Sequence, residues 1–256
     1  MQKKVFTLFI CAIILFSAKA QQINQEENSS QLFKHWAVGL NVGLYGGGLQ
    51  VATTLSPHFM LRAGFDYLSF TYKDDIDFDA PVVNIANYDI DMTGRLIDPN
   101  LKFSNAKLLV DYYPVKNGIF CLTAGLYFGD NKITTKGQID DYKQLVQELG
   151  EAPQFEFEDI IIKPNEDGSF NAKLKLGDTV KPYFGLGLGR SIPKSRVGFK
   201  FELGVVYQGD WTVESENISE GTYTTNDMAA DFDLPVSKDI LKLWPMMNFT
   251  LSYRFK

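Results

Sequence analysis

The chain has 256 residues, a formal net charge of −6 and a hydrophobic fraction of 45%. No segment approaches the roughly 18 consecutive apolar residues that a membrane-spanning helix needs, so a helical membrane protein is excluded. The surplus of acidic residues disfavours nucleic acid as a partner, because a negative protein surface repels a polyanion.

Residues 1–20 are a predicted secretory signal peptide, because two lysines precede an apolar run that ends in Ala-Lys-Ala. Residues 21–35 then form a predicted periplasmic tail, and residues 36–256 the folded domain. After cleavage, Cys121 is the only cysteine, which excludes an intrachain disulfide. A single thiol of this kind is expected to be a small buried apolar group.

Eight segments of the folded domain alternate apolar residues with polar or small ones. Successive side chains of a strand point to opposite faces, so each segment predicts a strand with one apolar and one polar face. In chain order the apolar positions are every second residue of Trp36–Leu44, Leu49–Leu55, Phe59–Tyr67, Ala106–Tyr112, Phe120–Phe128, Phe184–Leu188, Val197–Tyr207 and Met247–Phe255.

The polar face of these strands carries charges and many glycines, whereas the apolar face is continuously large. Small residues on the inside let a sheet curl tightly, so the polar face is predicted to line the lumen and the apolar face to contact lipid. This is the pattern of a transmembrane antiparallel β-barrel. A soluble lipocalin-like barrel is the alternative, because alternation alone does not determine which face points inward.

The lengths of the connections support an up-and-down barrel of eight strands in the outer membrane. Such barrels have short periplasmic turns and long extracellular loops, with both chain ends in the periplasm. Short connections are predicted at residues 56–58, 114–118 and 191–196, and long ones at 71–104, 129–181 and 208–243. The one exception to this alternation is the tight turn at Gly46–Gly48, which lies on the side of the long connections. The three long segments hold 26 of the 31 acidic residues, so the predicted extracellular loops are acidic.

Local structure is predicted within the second long loop. Residues 140–150 indicate a short helix with Asp140 as N-cap and Gly150 just beyond its end. A turn sequence between Phe155–Lys163 and Ser169–Leu176 then predicts a hairpin. The hairpin could extend the wall above the membrane or add two membrane strands, which would make ten. Eight strands are favoured, because ten would turn Asp159 toward lipid.

The inward face of the predicted strands holds several charged residues, which are expected to be paired because an isolated buried charge is costly. Antiparallel order places Arg62 near Asp111 and Asp66 near Lys107. A second cluster is expected on the last two strands. The full predicted lumen cluster is Arg62, Asp66, Lys107, Asp111, Lys200, Glu202 and Arg254. A polar filling of a narrow barrel is favoured over a gated or ion-selective path.

One acidic stretch is a weak candidate for calcium. Asp75, Asp77 and Asp79 alternate along the first long loop, and carboxylate oxygens are the ligands that calcium prefers. The stretch lacks the glycine and the terminal glutamate of an EF-hand loop, so a solvated acidic loop is the favoured interpretation.

Catalytic motifs are absent from the sequence, and no enzyme activity or cofactor is predicted. The two histidines, His35 and His58, both lie at the predicted periplasmic edge, far from a rim where substrate would arrive. The expected partners are outer-membrane lipid and a surface ligand or another membrane protein, with the chain itself a monomer.

Four segments of the barrel region resemble a group of small Gram-negative outer-membrane barrel proteins. They are Leu109–Pro114, Phe120–Leu126, Lys181–Gly189 and Leu203–Gly209, and the Tyr-Arg-Phe-Lys end looks like that of Bacteroides-type bacteria. The resemblance implies fold and compartment and brings no catalytic residues. Two kinds of function are compatible with it: an interaction protein that uses its surface loops, or an accessory barrel of an assembly or secretion machine. A narrow channel is a third.

Overall fold

A computed structural model of the chain describes residues 32–82, 91–157, 160–217, 223–224 and 242–255. The predicted signal peptide and most of the predicted tail lie outside these ranges. Within the described ranges, no helix is long and apolar enough to cross a membrane.

Strands dominate the described part of the chain. In order they are β1 (Trp36–Gly43), β2 (Gly46–Thr54), β3 (Phe59–Thr71), β4 (Ile76–Pro81), β5 (Asp91–Tyr112), β6 (Phe120–Ile139), β7 (Phe155–Phe157), β8 (Ile160–Ile162), β9 (Ser169–Leu176), β10 (Val180–Gly189), β11 (Val197–Tyr207), β12 (Trp211–Glu214), β13 (Tyr223–Thr224) and β14 (Leu243–Arg254). A helix, α1 (Tyr142–Leu149), lies between β6 and β7.

Eight of these strands close into an antiparallel ring. Its order is β1-β2-β3-β5-β6-β10-β11-β14, and β14 pairs with β1 to complete it. Each predicted strand lies inside one strand of the ring and overruns it by at most one residue, although β5 and β6 are much longer than predicted. Gly125 lets β6 approach β5 closely, since a Cβ there would lie 2.8 Å from the Leu109 Cα.

The ring is apolar outside and polar inside. Phe199 is 76% exposed and Leu40 59% exposed on the outer surface, whereas Arg62 and Asp111 are buried in the lumen. A soluble barrel has the opposite arrangement. An exterior covered by large apolar side chains is stable in lipid, so the ring is a barrel of the membrane-spanning kind.

Beyond one end of the ring, the sheet continues as an outer extension, which comprises β4, the distal halves of β5 and β6, β7 to β9, β12, β13 and α1. β5 and β6 remain paired as far as Gly94 and Ile139. β9 pairs with the distal half of β6, and β12 with β9. Parts of the predicted long connections 71–104, 129–181 and 208–243 are therefore strands, in addition to the hairpin arms predicted in the second of them.

A bulge explains why the sequence pattern missed this part of β5. The pairing with β6 shifts between Ile97 and Asn100, and Asp98 has φ 48°. An extra residue reverses which parity points inward. Leu96 is inward before the bulge and Leu101 after it, so a uniform period of two fails across the segment.

The outer extension has a hydrophobic core of its own, here called the outer core. Its buried members are Ile139, Tyr142, Leu145, Phe155, Ile162 and Phe170. Helix α1 begins after Asp141 rather than after the predicted cap Asp140. It ends at Leu149, and Gly150 follows just beyond the end as predicted, with its N–H donating to the Val146 carbonyl at 3.0 Å.

The predicted hairpin is wrong in its pairing, although its turn is present. The Gly168 N–H donates to the Asn165 carbonyl at 2.9 Å, as a turn there requires. The first arm, however, folds on itself as β7 and β8, and the second arm, β9, pairs with β6 and β12. Pairing with β6 is available because β6 continues beyond the ring and offers a free edge.

Candidate functional site

The lumen contains a compact charge layer formed by Arg62, Asp111, Lys200 and Glu202. Arg62 Nη2 lies 2.8 Å from Asp111 Oδ1 and 2.7 Å from Glu202 Oε2. Lys200 Nζ lies 2.9 Å from Asp111 Oδ1 and 2.6 Å from Glu202 Oε2. Two cations thus face two carboxylates, and each charge contacts both opposite charges, as a buried ionic network needs to offset desolvation.

Neutral side chains complete the charge layer. The Thr123 hydroxyl donates to Asp111 Oδ1 at 2.7 Å, and the Ser191 hydroxyl donates to Asp111 Oδ2. The Tyr183 hydroxyl donates to Glu202 Oε1 at 2.8 Å. The carboxylates therefore accept hydrogen bonds in addition to their ion pairs, which holds the layer in one geometry.

A second ion pair lies nearer the outer extension. Lys107 Nζ is 2.8 Å from Asp66 Oδ1, and Asn41 Nδ2 donates to the same oxygen at 2.6 Å. Lys181 is also buried here, and it donates to the Gly129 carbonyl at 2.6 Å and to Asn105 Oδ1 at 3.2 Å. Each charged nitrogen thus has polar oxygen partners within the protein.

Two further layers lie on either side of the charge layer along the barrel axis, and the outer one also contains the Asp66–Lys107 pair, because Lys107 is the register partner of Tyr127. On the side of the outer extension, an aromatic layer includes Tyr45, Phe103, Tyr127 and Tyr183, with ring centroids 5.4–5.5 Å apart in three contacting pairs. At the short-turn end, a smaller cap is formed by Ala37, Ala52, Met60, Tyr113, Cys121 and Ile192. Three successive layers of side chains therefore fill the lumen.

Two of the sequence-based expectations for the lumen need correction. Lys200 and Glu202 do not form a separate cluster with Arg254, because they join Arg62 and Asp111 directly. Arg254 pairs in register with Ala37 at the end of β14 and is partly exposed, outside the charge layer. The curvature of a narrow ring brings strands from opposite walls together, and pattern reading considers only neighbouring strands.

The acidic stretch proposed for calcium takes another arrangement. Asp75 Oδ2 lies 3.9 Å from Arg95 Nη1, and Arg95 Nη2 lies 2.6 Å from Asp140 Oδ1. Asp77 and Asp79 follow along the exposed edge strand β4. In the ranges that the structure describes, no three His, Cys, Asp or Glu side chains are grouped closely enough to hold a metal ion.

The contact between Arg95 and Asp140 joins two parts of the outer extension. Arg95 lies on β5, and Asp140 lies in the short connection between β6 and α1. The hydrogen bond from Arg95 and the charge of Asp140 raise the pKa of the Arg95 guanidinium. Arg95 therefore links the start of the α1 segment to the wall of the extension.

Several lumen residues were missed because they lie outside the predicted strands. Lys181 precedes the predicted start of its strand, yet it shares the inward parity of Tyr183. An alternation extended by three residues before Phe184 includes Lys181. Ser191 and Ile192 belong to a turn that folds back into the lumen, and no periodic signal marks such residues.

No protein family and no curated protein matches the sequence. Among solved structures, the chain is similar to Acinetobacter baumannii CarO, with a TM-score of 0.48 and 18% identity over 86% of this chain and 97% of that one. For Acinetobacter baumannii CarO2 the TM-score is 0.46 and the identity 17%, over 86% of this chain and 98% of that one. For a major outer membrane protein from Thermus thermophilus the TM-score is 0.32 and the identity 15%, over 86% of this chain and 98% of that one. At these values the likeness carries no activity to this chain, and the barrel rests on its own strand pairing and burial.

Proposed function

We propose that the protein is a non-enzymatic outer-membrane β-barrel that presents its folded outer extension to a partner at the cell surface. The observation that carries this proposal is the outer core. A loop that served only as a soluble connection would not need six buried apolar side chains of its own. A defined surface shape above a filled barrel suits recognition, because a rigid scaffold positions the residues that bind.

The orientation of the barrel follows from its two unlike ends. The three short turns at residues 56–58, 114–118 and 191–196 and the C-terminal end of β14 lie at one end of the ring. The outer extension lies at the other end, together with the tight turn between β1 and β2. Outer-membrane barrels place short turns and both chain ends in the periplasm. The outer extension therefore faces the outside of the cell, and the Tyr-Arg-Phe-Lys terminus favours a Bacteroides-type bacterium.

We infer that eight strands cross the membrane. β9 pairs with β6 only from Lys132 to Gln138, beyond the segment of β6 that pairs with β10. β7 and β8 have three residues each, whereas a strand needs about 9–11 residues to cross. The first arm of the predicted hairpin is therefore too short to add a membrane strand, and the second arm lies beyond the membrane-spanning part of β6. The closed ring also leaves no barrel edge for a second copy, which supports a monomer.

Site-specific crosslinking in living cells tests the proposed role. A photoreactive amino acid would replace Lys143, which is exposed on α1, or Lys194, which is exposed in a short turn at the opposite end. We expect a discrete crosslinked partner or surface ligand from position 143 only, because the outer extension is the proposed contact surface. The adducts would be identified by mass spectrometry after purification under denaturing conditions.

The two positions make each other's control, because both are exposed lysines at opposite ends of the same molecule. A partner captured only from position 194 would reject the surface role. It would support the alternative, in which the barrel is an accessory of an assembly or secretion machine that docks from the periplasm. Shielding of both positions by lipid is excluded by labelling the corresponding cysteine variants with a membrane-impermeant maleimide.

A planar-bilayer measurement tests the narrow-channel alternative. The purified barrel is expected to give no stable conductance steps, because charged, aromatic and aliphatic side chains fill the lumen at three levels. The double variant Arg62→Ala/Asp111→Ala, which removes two side chains of the charge layer, is the matched comparison. Steps in the parent protein that change in the double variant would establish conduction through the lumen.

A further inference from the structure

Three lysines form a row across the outer face of the sheet where the barrel meets the outer extension. Lys102 on β5 is the register partner of Lys132 on β6, and Lys132 is the register partner of Lys175 on β9. Like charges directly opposite each other on neighbouring strands are destabilising. A row of three is therefore an electrostatic cost that a bound anion would remove. These residues are here called the lysine row.

The lysine row lies at the level of lipid headgroups. On β6, Lys132 has the same outward parity as Phe128, which is exposed on the apolar wall. Lys102 Nζ lies 5.9 Å from the centroid of the Tyr67 ring, and Tyr67 is 46% exposed on the barrel exterior. Aromatic residues of this kind mark the membrane interface, and lysines just beyond them reach the headgroups.

The lysine row has no carboxylate within ion-pair distance among the described residues. Asp130 lies on the same face of β6, two residues closer to the apolar wall. Among the described residues, it likewise has no cation within ion-pair distance. By contrast, the next row outward is neutralised, because Lys173 Nζ lies 2.7 Å from Glu214 Oε2. The hydrogen bond from Lys173 and the charges of Lys173, Lys175 and Lys132 lower the pKa of Glu214.

A groove of about 730 Å³, lined by both apolar and polar groups, opens directly beyond the lysine row on the same face of the sheet. The bulge in β5 helps to form it, and its lining includes Asn100, Thr134, Asn171, Lys173 and Glu214. These side chains combine amides, a hydroxyl, a carboxylate and an ammonium group. Such a mixture of donors and acceptors with little net charge matches a hydroxyl-rich ligand rather than a second polyanion.

We propose that the lysine row and the groove together bind a phosphorylated glycolipid of the outer leaflet. The lysines contact its phosphate groups at the membrane surface, and the groove holds the first sugars that project outward. A free phosphate would use the row without the groove, whereas a phosphorylated glycolipid anchored in the same leaflet spans both. The inference rests on the orientation proposed above, which the crosslinking experiment tests separately.

Native mass spectrometry of the detergent-extracted protein tests this site. The protein would be titrated with lipid A that carries two phosphates, with the same lipid after removal of both phosphates, and with phosphatidylglycerol. We expect tightest binding of the bisphosphorylated lipid. The variant Lys102→Gln/Lys132→Gln/Lys175→Gln should lose roughly five-fold in affinity per lysine, or on the order of 100-fold in total.

The matched control is Lys34→Gln/Lys116→Gln/Lys194→Gln, which removes the same charge from exposed positions at the opposite end. It is expected to retain the affinity of the parent. Equal losses in the two triple variants would overturn the site, as would equal binding of phosphatidylglycerol and lipid A. The variant Thr134→Val/Asn171→Leu, which alters only the groove, should weaken lipid A while leaving phosphatidylglycerol unchanged; no effect on lipid A would remove the groove from the site.

Discussion

The Asp111→Asn variant is expected to destabilise the barrel by about 3–5 kcal/mol, the usual cost of removing one partner from a buried ionic network. Asp111 contacts both cations of the charge layer and is fully buried. Without its charge, Arg62 and Lys200 face each other with Glu202 alone between them. The amide oxygen can still accept from Thr123, so the loss is mainly electrostatic and not a loss of packing.

Urea unfolding of the refolded barrel in lipid vesicles, followed by tryptophan fluorescence, measures this effect. The control is Asp130→Asn, which removes an acid from the outer face of β6 and is expected to change stability by less than about 0.5 kcal/mol. The apolar double variant Arg62→Leu/Asp111→Leu should recover much of the loss, because it leaves the balanced pair of Lys200 and Glu202.

The size of the effect also bears on function. A loss below about 1 kcal/mol for Asp111→Asn would mean that water hydrates the lumen and replaces the missing carboxylate. The lumen would then be accessible along the barrel axis, and the narrow channel would again be the better proposal. A large loss, together with silent bilayers, instead assigns the charge layer to holding the ring closed, and leaves the outer extension as the part that acts.

The ring could be predicted from the sequence because lipid imposes a strict alternation on each strand. Leu40, Phe199 and Phe249 must face lipid, and the residues between them must fit a narrow lumen. The pairing of Arg62 with Asp111 follows the same logic. Both residues lie on inward parities at similar distances from the short-turn end, and antiparallel neighbours at equal height meet.

The outer extension could not be predicted in the same way, because its strands do not contact lipid and so need not alternate strictly between apolar and polar residues. The bulge at Asp98 reverses the inward parity of β5, so Met92 and Leu96 belong to the outer core although Leu101 and Phe103 follow the opposite phase. The alternation in β9 identifies it as a strand, but it does not reveal that β9 pairs with the free edge of β6. The lysine row is likewise visible only in the register, since its members are far apart in the chain.

The Phe155→Ala variant is expected to unfold the outer extension while the ring remains folded. Phe155 is fully buried in the outer core, 6.0 Å from the Tyr142 ring centroid, and its register partner is Ile162. Removing a buried phenylalanine costs about 3–5 kcal/mol, because the lost burial is accompanied by a cavity. A small satellite core has little stability beyond that amount, whereas the ring is held by its own pairing and by lipid.

Hydrogen exchange measured by mass spectrometry separates the two parts of the molecule. Protection of α1 should fall on the order of 100-fold or more in the variant, because exchange there follows local opening. Peptides from Phe120 to Phe128 of β6 provide the internal reference and should be unchanged. The matched control is Gln144→Ala, an exposed position on α1 whose side chain donates a hydrogen bond to Glu148 at 3.0 Å.

This variant also separates the recognition role from the lipid site. If the outer core shapes the contact surface, crosslinking from position 143 should be lost in Phe155→Ala, while the lysine row, which is built on β5, β6 and β9, should still bind lipid. Loss of protection throughout the ring would show that the extension and the barrel fold as one unit. Unchanged protection in α1 would show that the outer core does not hold the helix, and the proposed rigid recognition surface would then lose its physical basis.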